Sequence, residues 1–103
     1  MKRILVIDDE APMRVTVTRM LRKQGYDTLE AESAEVGLEL VSSHMPDLVL
    51  SDVHMNGVDG FELLKRLRSN TTTAALPVIL MTGAVETADL RSSMDLGADD
   101  VTV

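Results

Sequence analysis

The stretch Ile4-Leu5-Val6-Ile7-Asp8-Asp9 decides the fold of this chain. Consecutive aliphatic residues are typical of a strand buried on both faces, as in a parallel sheet covered by helices. The run Leu48-Val49-Leu50-Ser51-Asp52 repeats the pattern and again ends on an acid. If the two runs are neighbouring parallel strands, Asp8, Asp9 and Asp52 meet at one edge of the sheet. Such like charges repel one another unless a cation joins them, and a hard divalent cation with oxygen ligands is the natural one.

Short apolar segments alternate with amphipathic ones along the rest of the chain. The pattern predicts strands over 3–7, 28–31, 48–51, 78–82 and 100–103, and helices over 11–24, 34–43, 60–69 and 86–96. Strand two is the more polar and is predicted to lie near a sheet edge. Gly25 and Ser33 are predicted caps, and Met13, Met20 and Met94 are predicted to fill the core. The alternation indicates an α/β, doubly wound parallel sheet of five strands.

Composition restricts the function further. The chain has 103 residues, enough for one domain, and its net charge of −7 argues against direct nucleic-acid binding. It contains no Cys, so a disulfide framework is excluded. The first apolar run is too short for a signal peptide or a membrane span, which predicts a cytoplasmic protein without membrane contact. Neither G-x-G-x-x-G nor a Walker pattern is present, so a nucleotide-binding enzyme is not indicated.

Several segments, taken in order and spacing, resemble the receiver domain of two-component response regulators. They are Ile7-Asp8-Asp9-Glu10, Pro46-Asp47-Leu48-Val49-Leu50-Ser51-Asp52, Met55, Asp59-Gly60-Phe61-Glu62-Leu63, Pro77-Val78-Ile79-Leu80-Met81-Thr82 and Gly97-Ala98-Asp99-Asp100. The resemblance implies a CheY-like, flavodoxin-like sheet with strand order 2-1-3-4-5. Strands one and three are then adjacent, and the ligand site lies at their carboxyl ends.

The resemblance also implies a function. Asp52 would be the phosphoacceptor of a phosphorelay, and a sensor histidine kinase or phosphotransfer protein would be the partner. Mg²⁺ would be bound directly by Asp9 and Asp52, by Asp8 mainly through water, and by the backbone carbonyl of His54. The hydroxyl of Thr82 would contact a phosphoryl oxygen and move as a switch. The protein would be a signalling switch that assists its own phosphorylation and dephosphorylation, and not an enzyme in the ordinary sense.

The residues leave other interpretations open. Asp8 and Asp9 can favour the start of the next helix, Thr82 can be an ordinary strand-end residue, and the His54 side chain can be a metal ligand or a general base. A phosphatase of the haloacid dehalogenase type also uses a strand-end Asp with Mg²⁺, but it would need a second Asp where His54 stands. A third alternative is a non-phosphorylated pseudo-receiver, or a truncated fragment, that acts only as an interaction module.

The chain also departs from the family pattern. Asn56, Gly83 and Val101 replace residues that are common in the family. The family carries a Lys shortly after strand five, which would follow Val103, and then a fifth helix. We therefore expect residues 1–103 to be a C-terminally incomplete receiver domain that is phosphorylated less well than an intact one. We also expect it to self-associate through the face left by the missing fifth helix.

Overall fold

The computed structural model describes residues 2–55 and 57–81, and the backbone of residues 100–102. The elements are β1 (Arg3–Ile7), α1 (Ala11–Lys23), β2 (Asp27–Ala31), α2 (Ala34–His44), β3 (Leu48–Asp52), α3 (Gly60–Ser69), β4 (Val78–Met81) and β5 (Asp100–Thr102). Each agrees with its predicted bounds to within one residue. The helix predicted over 86–96 and Met94 lie outside the described residues. Within the described part of the chain, no helix has the length and apolar character needed to cross a lipid bilayer.

The five strands form one parallel sheet in the order β2-β1-β3-β4-β5, which confirms the predicted topology. The polar strand β2 lies at the edge, as its sequence predicts. β1 is central and pairs with both β2 and β3, so that Ile7 lies opposite Ala31 on one side and Ser51 on the other. Right-handed crossovers place α1 on one face of this sheet and α2 with α3 on the other.

The main core lies between the sheet and helices α2 and α3. Its largest fully buried side chains include Leu5, Ile7, Val49, Val78 and Leu80 from the strands, and Val41, Leu63, Leu64 and Leu67 from the helices. Helix α2 packs so closely on β1 that a Cβ at Gly37 would overlap the Ile7 side chain. The odd-numbered residues of β1 face this core because side chains alternate along a strand.

Helix α1 packs less completely than α2 and α3. Thr18 is its one fully buried residue, whereas Val17 and Leu21 are half-buried. Met13 and Met20 are 51% and 62% exposed, so the prediction that they fill the core is wrong. Their spacing correctly predicts a helix but gives no information on how deeply that helix is buried.

The orientation of α1 explains the exposure of both methionines. Arg14 donates to the carboxylate of Glu30, and Arg22 donates to the hydroxyl of Thr28, so this flank of α1 faces β2. Met13 and Met20 lie on the opposite flank of the helix. On the same side of the sheet, Leu48, Leu50, Ile79 and Met81 are half-buried. We call these four residues, together with Met13 and Met20, the α1-side face.

Capping residues fix where the helices begin and end. At the end of α1, Gly25 has φ +91°, and the Gly25 and Tyr26 amides donate to the carbonyls of Arg22 and Leu21. This is the Schellman arrangement expected for a glycine at that position. The Ser33 side chain accepts from the Val36 amide at the start of α2, which confirms the predicted cap.

Candidate metal centre

Three carboxylates converge at the carboxyl ends of β1 and β3. Each of Asp8, Asp9 and Asp52 offers an oxygen within 4.8 Å of the others. The strand register explains this convergence. Ile7 lies opposite Ser51, so the residues that follow them, Asp8 and Asp52, lie side by side. Asp8 is 3% exposed, Asp52 is half-buried and Asp9 is exposed, so the cluster is open to solvent on one side.

Asp8 is held by the turn that leads from β1 into α1. Its amide donates to the Ala31 carbonyl at 3.0 Å, and its carboxylate accepts from the Glu10 amide at 2.9 Å. Glu10, the N-cap of α1, makes no side-chain cap hydrogen bond of its own. Asp8 therefore binds a backbone amide at the start of α1, in agreement with the alternative that it favours the start of that helix. The same carboxylate also lies close to that of Asp52.

Asp52 is in an environment that disfavours its charge. Burial is the largest cause and the negative charge of Asp8 the second, and together with Asp9 they raise the pKa of Asp52 above its usual value. The amides of His54 and Val53 act in the opposite direction, with the His54 amide 3.4 Å from the Asp52 carboxylate. A cation at this point would remove the main source of the repulsion. An all-oxygen donor set suits Mg²⁺ or Ca²⁺ better than a soft metal.

Helix α3 begins directly against the end of β3. The Gly60 amide donates to the Val53 carbonyl at 2.9 Å, and the Asp59 carboxylate caps the helix through the Glu62 amide. A Cβ at Gly60 would lie 2.5 Å from the Asp52 carbonyl oxygen and 2.8 Å from the Val53 Cα. The absence of a side chain at Gly60 therefore permits the close approach that positions the segment carrying Asp52. In the sequence, Gly60 is recognised only as part of a motif, and the motif does not predict this contact.

A basic side chain that the sequence analysis did not single out also reaches the cluster. The Arg14 guanidinium donates to the carbonyl of Asp8 at 2.8 Å and to the carboxylate of Glu30 at 3.2 Å. The only signal in the sequence is a cation in the first turns of the helix that follows the acidic pair. That signal is weak, because most such residues are solvated.

The two remaining predicted site residues are placed differently. His54 is exposed, and its amide is directed at Asp52. A metal contact through its carbonyl or its ring stays a prediction. Thr82 lies outside the described residues. Its neighbour Met81 pairs in register with Asp52, at the end of the adjacent strand β4.

Comparisons with known proteins agree with this geometry. The family model "Response regulator receiver domain" matches residues 4–103. The chain is 36% identical to the phosphate regulon transcriptional regulatory protein PhoB of Pseudomonas aeruginosa over 99 residues, which are 96% of this chain and 43% of PhoB. It is 36% identical to protein PilH of the same organism over 97% of this chain and 83% of PilH.

The solved structures lead to the same result. The chemotaxis protein CheY4 of Vibrio cholerae superposes with a TM-score of 0.94 at 25% identity, over 100% of this chain and 86% of that one. The chain spans less than half the length of PhoB, whereas it spans most of PilH and CheY4. Sheet order, family match and structural likeness agree, and the chain belongs to the response regulator receiver domain family.

Proposed function

We propose that this chain is a phosphoacceptor receiver whose Asp52 takes a phosphoryl group from a histidine kinase or a phosphotransfer protein. The observation that carries the proposal is the convergence of Asp8, Asp9 and Asp52, with oxygens within 4.8 Å of one another, around a half-buried aspartate. Burial and two neighbouring charges raise the pKa of Asp52, and perturbed carboxylates of this kind concentrate at functional sites.

The transfer itself requires few groups from the protein. A carboxylate oxygen of Asp52 attacks phosphorus, a new O–P bond forms, and the P–N bond of the donor's phosphohistidine breaks. The electron pair stays on the donor's imidazole, which then takes up a proton. Catalysis of phosphoryl transfer rests mainly on positioning and charge stabilisation. In this chain the positioning comes from the β3 ladder and from the close approach of α3 at Gly60.

The charges of the site support a divalent cation as cofactor. Three carboxylates carry up to three negative charges, and a phosphoryl group adds about 1.5 to 2 more at neutral pH. We assign Mg²⁺ to Asp9 and Asp52, with Asp8 acting mainly through water and the His54 carbonyl completing the set. When bound, Mg²⁺ would neutralise part of this charge and orient phosphoryl oxygens. Thr82, which follows the β4 residue paired with Asp52, is our candidate for the phosphoryl contact and switch.

Phosphorylation tests the assignment of Asp52. The wild-type chain, incubated with acetyl phosphate and Mg²⁺, should gain one phosphoryl group by intact-mass spectrometry, and Asp52→Asn should gain none. Asp27→Asn is a matched control, because Asp27 is an exposed aspartate of the edge strand β2 that pairs with Arg3 of β1. Labelling of Asp52→Asn at the wild-type level would show that the acceptor lies elsewhere. A wild-type chain that never labels would favour the interaction-module alternative.

Cation binding is tested separately from labelling. In an NMR titration of the wild-type chain with Mg²⁺, the amides of Asp9, Asp52 and His54 should shift together and saturate. The same titration of Asp52→Asn should show much weaker binding, because one of the charged ligands is lost. Unmoved amides at all three positions in the wild-type chain would refute the metal assignment.

A further inference from the structure

Arg14 is the cationic side chain that connects helix α1 to the acidic cluster. Its Nη1 donates to the Asp8 carbonyl at 2.8 Å, and its Nε donates to Glu30 at 3.2 Å. The side chain of Arg14 is only 18% exposed, and that of Glu30 is 35% exposed. Glu30 therefore lies at the surface, where ion pairs are usually weak, and the contact of Arg14 with the Asp8 carbonyl is the more buried of the two.

The accepting carbonyl has a particular position. It belongs to the peptide bond that joins Asp8 to Asp9, so the guanidinium fixes the peptide plane from which both acidic residues extend. On either side, the Asp8 amide is tied to Ala31 and the Glu10 amide to the Asp8 carboxylate. A rigid fork that binds a carbonyl and a carboxylate at once is specific to arginine, because the lysine ammonium is a point charge on a flexible stem.

The second anchor joins this turn to the edge of the sheet. Glu30 lies in β2 and pairs with Val6 of β1, one residue before the register position of Ile7 and Ala31. Arg14 therefore links three elements, α1, β1 and β2, at the point where the chain leaves the sheet. The N-cap residue Glu10 supplies no side-chain cap, so this linkage adds to the restraint that the Asp8 carboxylate places on the entry to α1.

We propose that Arg14 is a positioning residue for the cation site, which orients Asp8 and Asp9 through the peptide bond between them. The inference rests on the proposed function. It makes a prediction opposite in sign to simple electrostatics, because removing a positive charge held at the backbone of Asp8 would by itself tighten cation binding. If positioning dominates, removing the guanidinium weakens binding instead.

The test compares Mg²⁺ affinity of folded variants by NMR titration. Arg14→Met, which keeps the aliphatic stem, should weaken Mg²⁺ binding by about 10-fold, the lower end of the effect seen when outer-shell partners of metal ligands are removed. Arg14→Lys should be similarly weak although it keeps the charge. Arg22→Met is the matched control, since Arg22 makes the corresponding contact to β2 through Thr28 on the same helix, and it should bind Mg²⁺ as the wild type does.

A measurement without metal separates this inference from the proposed function. In metal-free protein, hydrogen exchange at the Asp9 and Glu10 amides should be faster in Arg14→Met than in the wild type and unchanged in Arg22→Met. If the wild type fails to bind Mg²⁺, the proposed function is wrong, and the exchange rates still test the role of Arg14.

Two results would overturn the role of Arg14. They are Mg²⁺ affinity in folded Arg14→Met that equals or exceeds that of the wild type, and unchanged amide exchange. If Arg14→Met does not fold, Glu30→Met keeps the aliphatic stem, removes only the acceptor of the second anchor and should weaken Mg²⁺ binding in the same direction. Unchanged affinity in Glu30→Met would then count against the proposal.

Discussion

The substitution Gly60→Ala adds a single methyl group where helix α3 begins against the end of β3. The new Cβ would lie 2.5 Å from the Asp52 carbonyl oxygen, about 0.9 Å short of the 3.4 Å at which ordinary contact begins. Both nearest atoms are backbone atoms and cannot rotate away, so either α3 or the end of β3 must move. Overpacking of this kind costs roughly 1–3 kcal/mol, and each kcal/mol lowers the Tm of a domain of this size by about 4–8 °C.

The displacement should also reach the proposed cation site. Mg²⁺ requires near-ideal geometry with oxygens at about 2.0–2.1 Å, and functional groups generally tolerate only about 0.5 Å of displacement. Gly60→Ala should therefore lower the Tm and weaken Mg²⁺ binding together. Circular dichroism gives the first quantity and an NMR titration the second. Alanine is intrinsically the better helix former by about 1 kcal/mol, so a loss of stability reports the clash and not helix propensity.

Gly57→Ala is the matched control, because Gly57 lies shortly before α3 and, its chain neighbours apart, no atom lies within 4 Å of its added Cβ. Its φ of +78° makes alanine unfavourable by roughly 1–2 kcal/mol. Gly57→Ala should thus lower the Tm while leaving Mg²⁺ affinity near that of the wild type. Mg²⁺ affinity in folded Gly60→Ala equal to that in Gly57→Ala would refute the idea that the close approach at Gly60 positions Asp52.

Two further predictions concern charge and association. The pKa of Asp52 is raised, chiefly by burial and then by Asp8, so ionising this residue costs folding free energy above its unfolded pKa of about 3.8. Metal-free Asp52→Asn should therefore have a higher Tm than the wild type at neutral pH and a similar Tm below that pKa; a lower Tm at neutral pH would contradict this. The 103-residue chain should self-associate through the α1-side face, because large exposed apolar surfaces commonly form interfaces. In sedimentation equilibrium, Met20→Lys should reduce association. Val15→Lys, on the other side of α1, should leave association unchanged. A wild-type chain that stays monomeric at high concentration would rule out this interface.

Much of the fold could be predicted because the strands are easily recognised in the sequence. Runs such as Ile4-Leu5-Val6-Ile7 are typical of a central strand in a parallel sheet, and the polar sequence of β2 is typical of an edge strand. Convergence of the aspartates followed from one rule, that parallel strands end at the same edge of a sheet. These inferences need only the period and the direction of each element.

The features that the sequence did not predict correctly depend instead on distances between elements. The spacing of Met13 and Met20 identifies a helical stripe but not whether another element covers it. The contacts of Arg14 and Gly60 depend on how far a guanidinium reaches and how closely two backbones approach. Neither quantity is encoded in a period or a motif. The role of Thr82 remains a prediction, since it lies outside the described residues.

The light packing of α1 has a consequence for communication within the molecule. This helix has one fully buried residue, yet it carries the guanidinium that holds the Asp8–Asp9 peptide. If Arg14 positions the cation site as we propose, docking of α1 on the sheet and occupancy of the acidic cluster are coupled equilibria, and such coupling is reciprocal. A protein that binds the exposed side of α1 and holds the helix against β2 would raise the affinity of the cluster for the cation. The bound cation would raise the affinity for that protein by the same factor. A protein bound at Met13 and Met20, which are distant in sequence from Asp52, would then also change the cation affinity of the acidic cluster.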